Sequence, residues 1–272
     1  MSKLKKDADR VSLDQVFAAL QEIAPLELAA EWDNTGLLLE PNPSRRWAQR
    51  VLLTIDLSLP VVAEARRLGV DLVVSYHPPI FRGLKRLLAS DPAQRAVLES
   101  LDAGFAVYSP HTALDGVAGG IADWLAGGVA KERDVSSIRP CGEGDYGRVV
   151  ELAKSIPLST LLTRVRRHLG VTSLRLALPR AGMRHRVRTV AVAAGAGSSI
   201  LSGERADVWL TGEMSHHDAL AAVAGGTAVV LGEHSNTERG YLATLRERLR
   251  SAFGKALDVR ISKVDRDPFI HA

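Results

Sequence analysis

Cysteine is nearly absent from this 272-residue chain, which holds a single one, Cys141. That excludes an internal disulfide and any Cys-rich zinc module, and it suits a reducing compartment. Aromatic residues are scarce at 5%. No Gly-x-Ser-x-Gly or comparable nucleophile motif occurs, so covalent catalysis has no candidate. Long apolar runs are missing too. The longest, Ala219 to Leu231, is interrupted by Gly225 and Gly226 and falls short of the ~20 residues that a membrane helix needs. Met1 to Arg10 is charged and lacks the apolar stretch of a signal peptide. These absences predict a cytoplasmic protein with no membrane partner.

What is present is ordinary globular usage, 46% hydrophobic and 24% charged, at a length that suits two small domains. The net charge of +4 is a mild excess that favours anionic ligands without naming one. It is unevenly spread, for Arg164 to Arg188 holds eight Arg and two His and no acid. Such a stretch either grips phosphates or lines helix ends and strand edges in solvent. No aromatic residue interleaves it as a stacking platform, so the solvent reading is preferred to nucleic-acid binding.

Periodicity predicts an α/β chain. Ser12 and Gln15 form a capping-box pair ahead of a helix over 13–23. After a polar turn at Pro41 to Ser44 comes a strand over 51–56, a helix from Ser58 to Gly69 and a strand over 70–75, which together make a βαβ unit with a mostly parallel sheet. A helix opening at Asp91-Pro92, a strand over 105–108 and a short helix over 120–125 follow. The turn-rich stretch 134–146, with Cys141 in it, reads as a boundary. The domains are therefore expected at 1–135 and 136–272, with no inserted domain and with the last helix and strand free to pack back on the first. The second half alternates again: strands at 148–152, 173–178, 187–193, 207–210, 228–231 and 257–261, and helices at 159–169, 216–223 and 237–253. Asp71 to His77 and Gly104 to His111 echo Asp207 to Glu213 and Gly226 to His234, which suggests a duplicated unit.

The histidines carry the chemistry. Four strand-like runs deliver a His, or a Glu close to His, just past their last apolar residue: His77, His111 with Asp115, Glu213 with His216 and His217, and His234 with Glu238. In open α/β sheets ligands sit beyond the carboxyl ends of the strands, so one rule would gather these groups. The spacing His-x-x-x-acid at 111/115 and 234/238 puts imidazole and carboxylate on one helical face. That is a ligand set for zinc, manganese or iron. Any one of these His alone reads equally as a hydrogen-bonded loop residue, and four clusters at equivalent places change the balance. His168, His185 and His271 are assigned no chemistry. His216 and His217 open a helix capped by Ser215, which is as much structural as catalytic. Gly195-Ala-Gly-Ser-Ser, with Ser198 and Ser199, offers a weak anion site lacking full dinucleotide or P-loop spacing. Asp33-Asn34 reads equally as turn chemistry.

At these residues the chain resembles a known family. Glu31-Trp-Asp-Asn-Thr-Gly-Leu, Ser75-Tyr-His-Pro-Pro-Ile-Phe-Arg82, Tyr108-Ser-Pro-His-Thr-Ala-Leu-Asp115, Gly195-Ala-Gly-Ser-Ser199, Leu210-Thr-Gly-Glu-Met-Ser-His-His-Asp218 and Gly232-Glu-His-Ser-Asn-Thr-Glu-Arg-Gly240 are similar to the NIF-three-like proteins (NGG-interacting factor three), also called the GTP cyclohydrolase I type two family. The resemblance implies two related α/β domains, a crevice between them holding one or two divalent metal ions, and a homohexameric ring. It places metal ligands at His77, Asp115, His234 and Glu238, the last as a bridge. Many bacterial members have two consecutive His where this chain has Tyr76-His77, so the second metal would have fewer donors, with His111 or Tyr76 as a second-shell or additional ligand. The expected function is a metal-dependent hydrolase of a nucleotide-like or other small anionic substrate, with Glu213 and His217 moving protons. The alternative is a non-catalytic, metal-binding oligomeric scaffold that recruits proteins or nucleic acid.

Overall fold

The computed structural model describes residues 10–40 and 47–270. The expected polar turn at Pro41 to Ser44 and His271 lie outside them. Two compact units emerge, Met1–Leu114 with Leu242–Asp265, and Asp115–Tyr241 with Arg266–Ala272. The units therefore do not divide at 135/136.

In chain order the elements begin with β1 (Val11–Ser12), α1 (Leu13–Ile23), β2 (Gly36–Leu39), β3 (Trp47–Ala48), β4 (Arg50–Thr54), α2 (Leu59–Leu68), β5 (Leu72–Ser75), α3 (Pro92–Ala103), β6 (Ala106–Ser109) and α4 (His111–Gly116). The Ser12 and Gln15 capping box is present as read. Asp91 caps α3 through the amides of Ala93 and Gln94. Ser58 makes no cap bond, and α2 starts instead on a proline in its first turn. Next come α5 (Ile121–Gly127), β7 (Val135–Cys141), β8 (Gly147–Pro157), α6 (Leu158–Leu169), β9 (Arg175–Ala177), β10 (Arg186–Ala193), α7 (Ser198–Leu201), β11 (Val208–Thr211), α8 (His216–Ala224), β12 (Ala228–Leu231), α9 (Asn236–Arg239), α10 (Tyr241–Phe253) and β13 (Asp258–Ile261).

The first unit is a five-stranded sheet in the order β13-β4-β5-β6-β2, parallel except for β2. β5 and β6 are buried at every position, as strands covered on both faces must be. The core of this unit joins Leu52, Val73 and Val107 of the sheet to Val61, Ala65, Ala96 and Val97 of α2 and α3.

The second unit is a six-stranded sheet in the order β7-β8-β10-β11-β12-β9. Its three consecutive strands β10, β11 and β12 are parallel and the others antiparallel, so this sheet is mixed. Its main core packs Leu125, Leu158, Leu161 and Val165 of α5 and α6 on Val190, Val208 and Val230. Ser136, Ser137 and Pro140, read as boundary turns, stand exposed on β7, an edge strand where proline and polar side chains are tolerated. Cys141 is buried at the end of that strand rather than in a flexible turn, and burial pushes its thiol up to about 11. That leaves it unreactive. The single helix expected over 237–253 is divided at Gly240, against which the Trp124 ring packs with no space for a Cβ. Among the described residues no helix is long and apolar enough to cross a membrane.

Candidate metal centre

In the first unit the functional side chains stand at the carboxyl ends of β4, β5 and β6. His77 N–H donates to Ile55 O (3.0 Å), and Ser75 Oγ donates to His77 O (2.7 Å), which fastens the backbone as β5 ends. His77 Nδ1 then pairs with Asp56 Oδ1 at 2.9 Å, a contact that sets the orientation of the ring. His111 repeats the arrangement, its Nδ1 lying 2.7 Å from Asp33 Oδ1. The buried Asp33 carboxylate also accepts from the amide (3.1 Å) and hydroxyl of Thr112. Burial alone would raise the Asp33 pKa, but the hydrogen bonds of His111 and Thr112 outweigh it and hold the carboxyl below its ordinary value. The His77 and His111 rings are 5.5 Å apart. Tyr76 is buried with its ring against both, at 4.9 and 5.3 Å, so it packs on the two imidazoles rather than away from them. Asp115 is half-buried one turn past His111.

In the second unit the site is built on the ends of β10, β11 and β12. His234 Nδ1 pairs with Glu213 Oε1 at 3.0 Å, and its Nε2 lies 3.3 Å from Glu238 Oε1. The Glu238 side chain is 2% exposed. Gly195 holds these groups in place. Its amide donates to Thr237 Oγ1 (2.9 Å), and its carbonyl accepts from Thr211 Oγ1 and from the amides of Gly212 and Glu213, each at 3.0 Å. Its φ is +58°, and a Cβ there would lie 2.6 Å from Glu238 Oε1 and 2.9 Å from His234 Nε2. Only glycine fits.

A cleft of about 710 Å³ opens beside Glu213, lined among others by Arg175, Ser198, Ser199, Ser215 and Glu233. Ser198 and Ser199 thus share a cleft with Glu213. His217 is not among the lining residues; its ring faces that of His216 at 5.5 Å on exposed α8. Ser215 Oγ caps that helix by accepting from Asp218 N–H. Of the Arg-rich stretch, Arg164, Arg175, Arg186 and Arg188 are tied to Asp134, Glu233, Ser155 and Glu151. His168 is packed against Trp124, with ring centroids 4.4 Å apart. Residue-by-residue reading missed Asp56 altogether, left Asp33 undecided between a site residue and turn chemistry, and left Arg175 among the arginines of the charge run.

Carboxylate-oriented histidines at strand ends, set in two α/β units, define the class as an α/β protein with candidate metal-ligating side chains in each unit. Comparison with known proteins names the family. Residues 11–268 match the Duf34/NIF3 (NGG1p interacting factor 3) model, and the chain belongs to that family. It is 42% identical over 255 residues to the Schizosaccharomyces pombe protein NIF3 homolog, covering 89% of this chain and 91% of that one. The crystal structure of a Bacillus cereus protein related to NIF3 superposes with a TM-score of 0.80 at 19% identity, covering 96% of this chain and 99% of that one. Reduced HcgD from Methanocaldococcus jannaschii also gives 0.80, at 23% identity over 93% and 98%. Both show the fold.

Proposed function

We propose that this protein is a divalent-metal-dependent hydrolase of a small anionic, nucleotide-like substrate. The observation that supports it is that His77, His111 and His234 each commit Nδ1 to a carboxylate, Asp56, Asp33 and Glu213. That is the outer-shell pairing which fixes the tautomer and orientation of metal-ligating histidines. The proposed ligands are His77, His234 and Glu238, with Asp115 as a fourth and His111 or Tyr76 beside a second ion. Neutral imidazole and carboxylate suit zinc, manganese or iron, and the space kept open by Gly195 is where a Cβ would collide with two of the donors. When bound, the metal supplies a Lewis acid and a water of lowered pKa.

The chain's own residues do the rest. Asp56 and Asp33 orient the first unit's imidazoles. Glu213 orients His234 and, with half its side chain exposed to the cleft, is placed to move a proton. His217 is the alternative proton carrier. Ser198, Ser199 and Arg175 offer hydroxyls and a guanidinium to an anion.

The test is metal analysis and turnover together. The purified protein should hold at least one transition metal per chain, His234→Ala should lose it while staying folded, and nucleotides should be hydrolysed only by metal-loaded protein. Unchanged metal content in His234→Ala overturns the ligand assignment. A fully loaded protein that hydrolyses no member of a nucleotide and phosphoester panel overturns the hydrolase.

A further inference from the structure

We infer that Trp32 and Phe81 form a stacking site for a planar heterocycle, with cations on the loop after Phe81 placed for its phosphate, so that the ligand class is a nucleoside monophosphate. This deepens the function proposed above and rests on it only for the use made of the bound ligand. In a chain with few aromatic residues, Trp32 is 65% and Phe81 45% exposed. Their ring centroids are 5.9 Å apart at 65°, and each lies within 6.3 Å of the His111 ring. Two large apolar rings left in water beside oriented histidines contribute little to the core.

Their placement comes from the backbone around them, not from their own packing. Asp33, next to Trp32, is locked by His111 and Thr112. Ala30 N–H donates to Thr112 Oγ1 (3.0 Å), and Asp33 N–H donates to Ala30 O (2.9 Å). Asn34 Nδ2 donates to Ile80 O, tying the Trp32 turn to the residue before Phe81. The pair is therefore held in register before any ligand arrives, and preorganised aromatic faces bind planar rings with little ordering cost.

The loop that follows Phe81 carries charge of one sign, whereas Trp32 is flanked by Glu31 and Asp33. Residues 81–90 contain Arg82, Lys85 and Arg86 and no acid. All ten are exposed, and among the described residues none of these three cations is paired with a carboxylate. Unpaired guanidinium and ammonium groups are phosphate donors.

Calorimetric titration of the metal-loaded protein with AMP, GMP, CMP and UMP, and with ribose phosphate as the ringless control, tests the site. At least one nucleotide should bind about tenfold more tightly than ribose phosphate. Trp32→Ala should weaken that nucleotide about tenfold, equivalent to about 1.4 kcal/mol, and leave ribose phosphate unchanged, whereas Trp32→Phe should retain most of the affinity. Metal content and sedimentation should not move. The inference is overturned if no nucleotide outcompetes ribose phosphate, or if Trp32→Ala binds as the parent does. It is also overturned if the variant changes the oligomeric state, which would make the rings a contact between copies. Nucleotide binding without turnover would sink the hydrolase and leave this site standing. Turnover persisting in Trp32→Ala with unchanged KM would do the reverse.

Discussion

Gly195→Ala probes the site at its narrowest point. Two costs follow from the geometry. The backbone there has φ +58°, a left-handed conformation that costs an alanine about 1–2 kcal/mol. The added methyl would stand 2.6 Å from Glu238 Oε1, and reaching even a tight contact of ~3.0 Å requires a displacement of about 0.4 Å, twice the ±0.2 Å within which metal–ligand distances fall. Glu238 cannot swing away, because its side chain is 2% exposed, and His234 is held from behind by Glu213. The strain term alone should lower the melting temperature of the metal-free protein by roughly 2–8 °C. Metal affinity should fall by at least about tenfold, the scale of loss when ligand positioning is disturbed. Thermal unfolding with and without chelator, alongside metal analysis after dialysis against graded chelator, separates the two. A variant that unfolds earlier but retains metal with the parent's affinity would refute the claim that the Gly195 cradle shapes the metal centre.

Two further outcomes concern buried groups away from the candidate metal centre. The Tyr108 hydroxyl is buried without a hydrogen-bond partner among the described residues, and burial pushes its pKa up to about 12. Tyr108→Phe removes that desolvated hydroxyl and keeps the stacking on Phe17 at 5.7 Å, so stability should hold or rise by about 1 kcal/mol in chemical denaturation; a loss of similar size would show that the hydroxyl has a partner. His168 is held below its ordinary pKa by burial against Trp124. Its unfolded form binds the proton more readily, so its contribution is complete above the unfolded value of about 6.5 and is lost as pH falls below it. His168→Gln should therefore shrink the drop in melting temperature between about pH 7.5 and about pH 5, and an undiminished drop would place the acid sensitivity elsewhere.

The elements that could be read from the chain alone are those governed by local physics. β12 was expected at 228–231 and is found there, because an apolar run between turn residues has one reading. α1 starts where Ser12 and Gln15 cap it. β2 escaped because Gly36 to Leu39 reaches the sheet as an antiparallel edge against β6, a partner some 70 residues away. β7 escaped because its serines and proline mimic a linker, and only the pairing with β8 reveals an edge strand. The histidines were legible as strand-end groups because the rule about strand ends is itself local. Asp33 was ambiguous for the opposite reason, since its partner His111 lies 78 residues on and nothing in Asp33-Asn34 distinguishes a buried acceptor from a turn.

The carboxylates behind His77 and His234 did leave a trace, visible once the topology is known. Asp56 and His77 are 21 residues apart, and so are Glu213 and His234. In each unit the acid follows one parallel strand and the histidine follows the next: β4 then β5 in the first, β11 then β12 in the second. The spacing is that of one strand-helix-strand step, and parallel neighbours lie about 4.8 Å apart, so side chains leaving their carboxyl ends meet at hydrogen-bond distance. Both units also place an antiparallel edge strand, β2 or β9, beyond the last of their parallel strands, β6 or β12. The imidazole–carboxylate pair nevertheless sits one strand further along in the second unit than in the first. The strand-helix-strand step that both units contain thus accounts for the kind of pair each carries, while the strands that carry it differ between the two units.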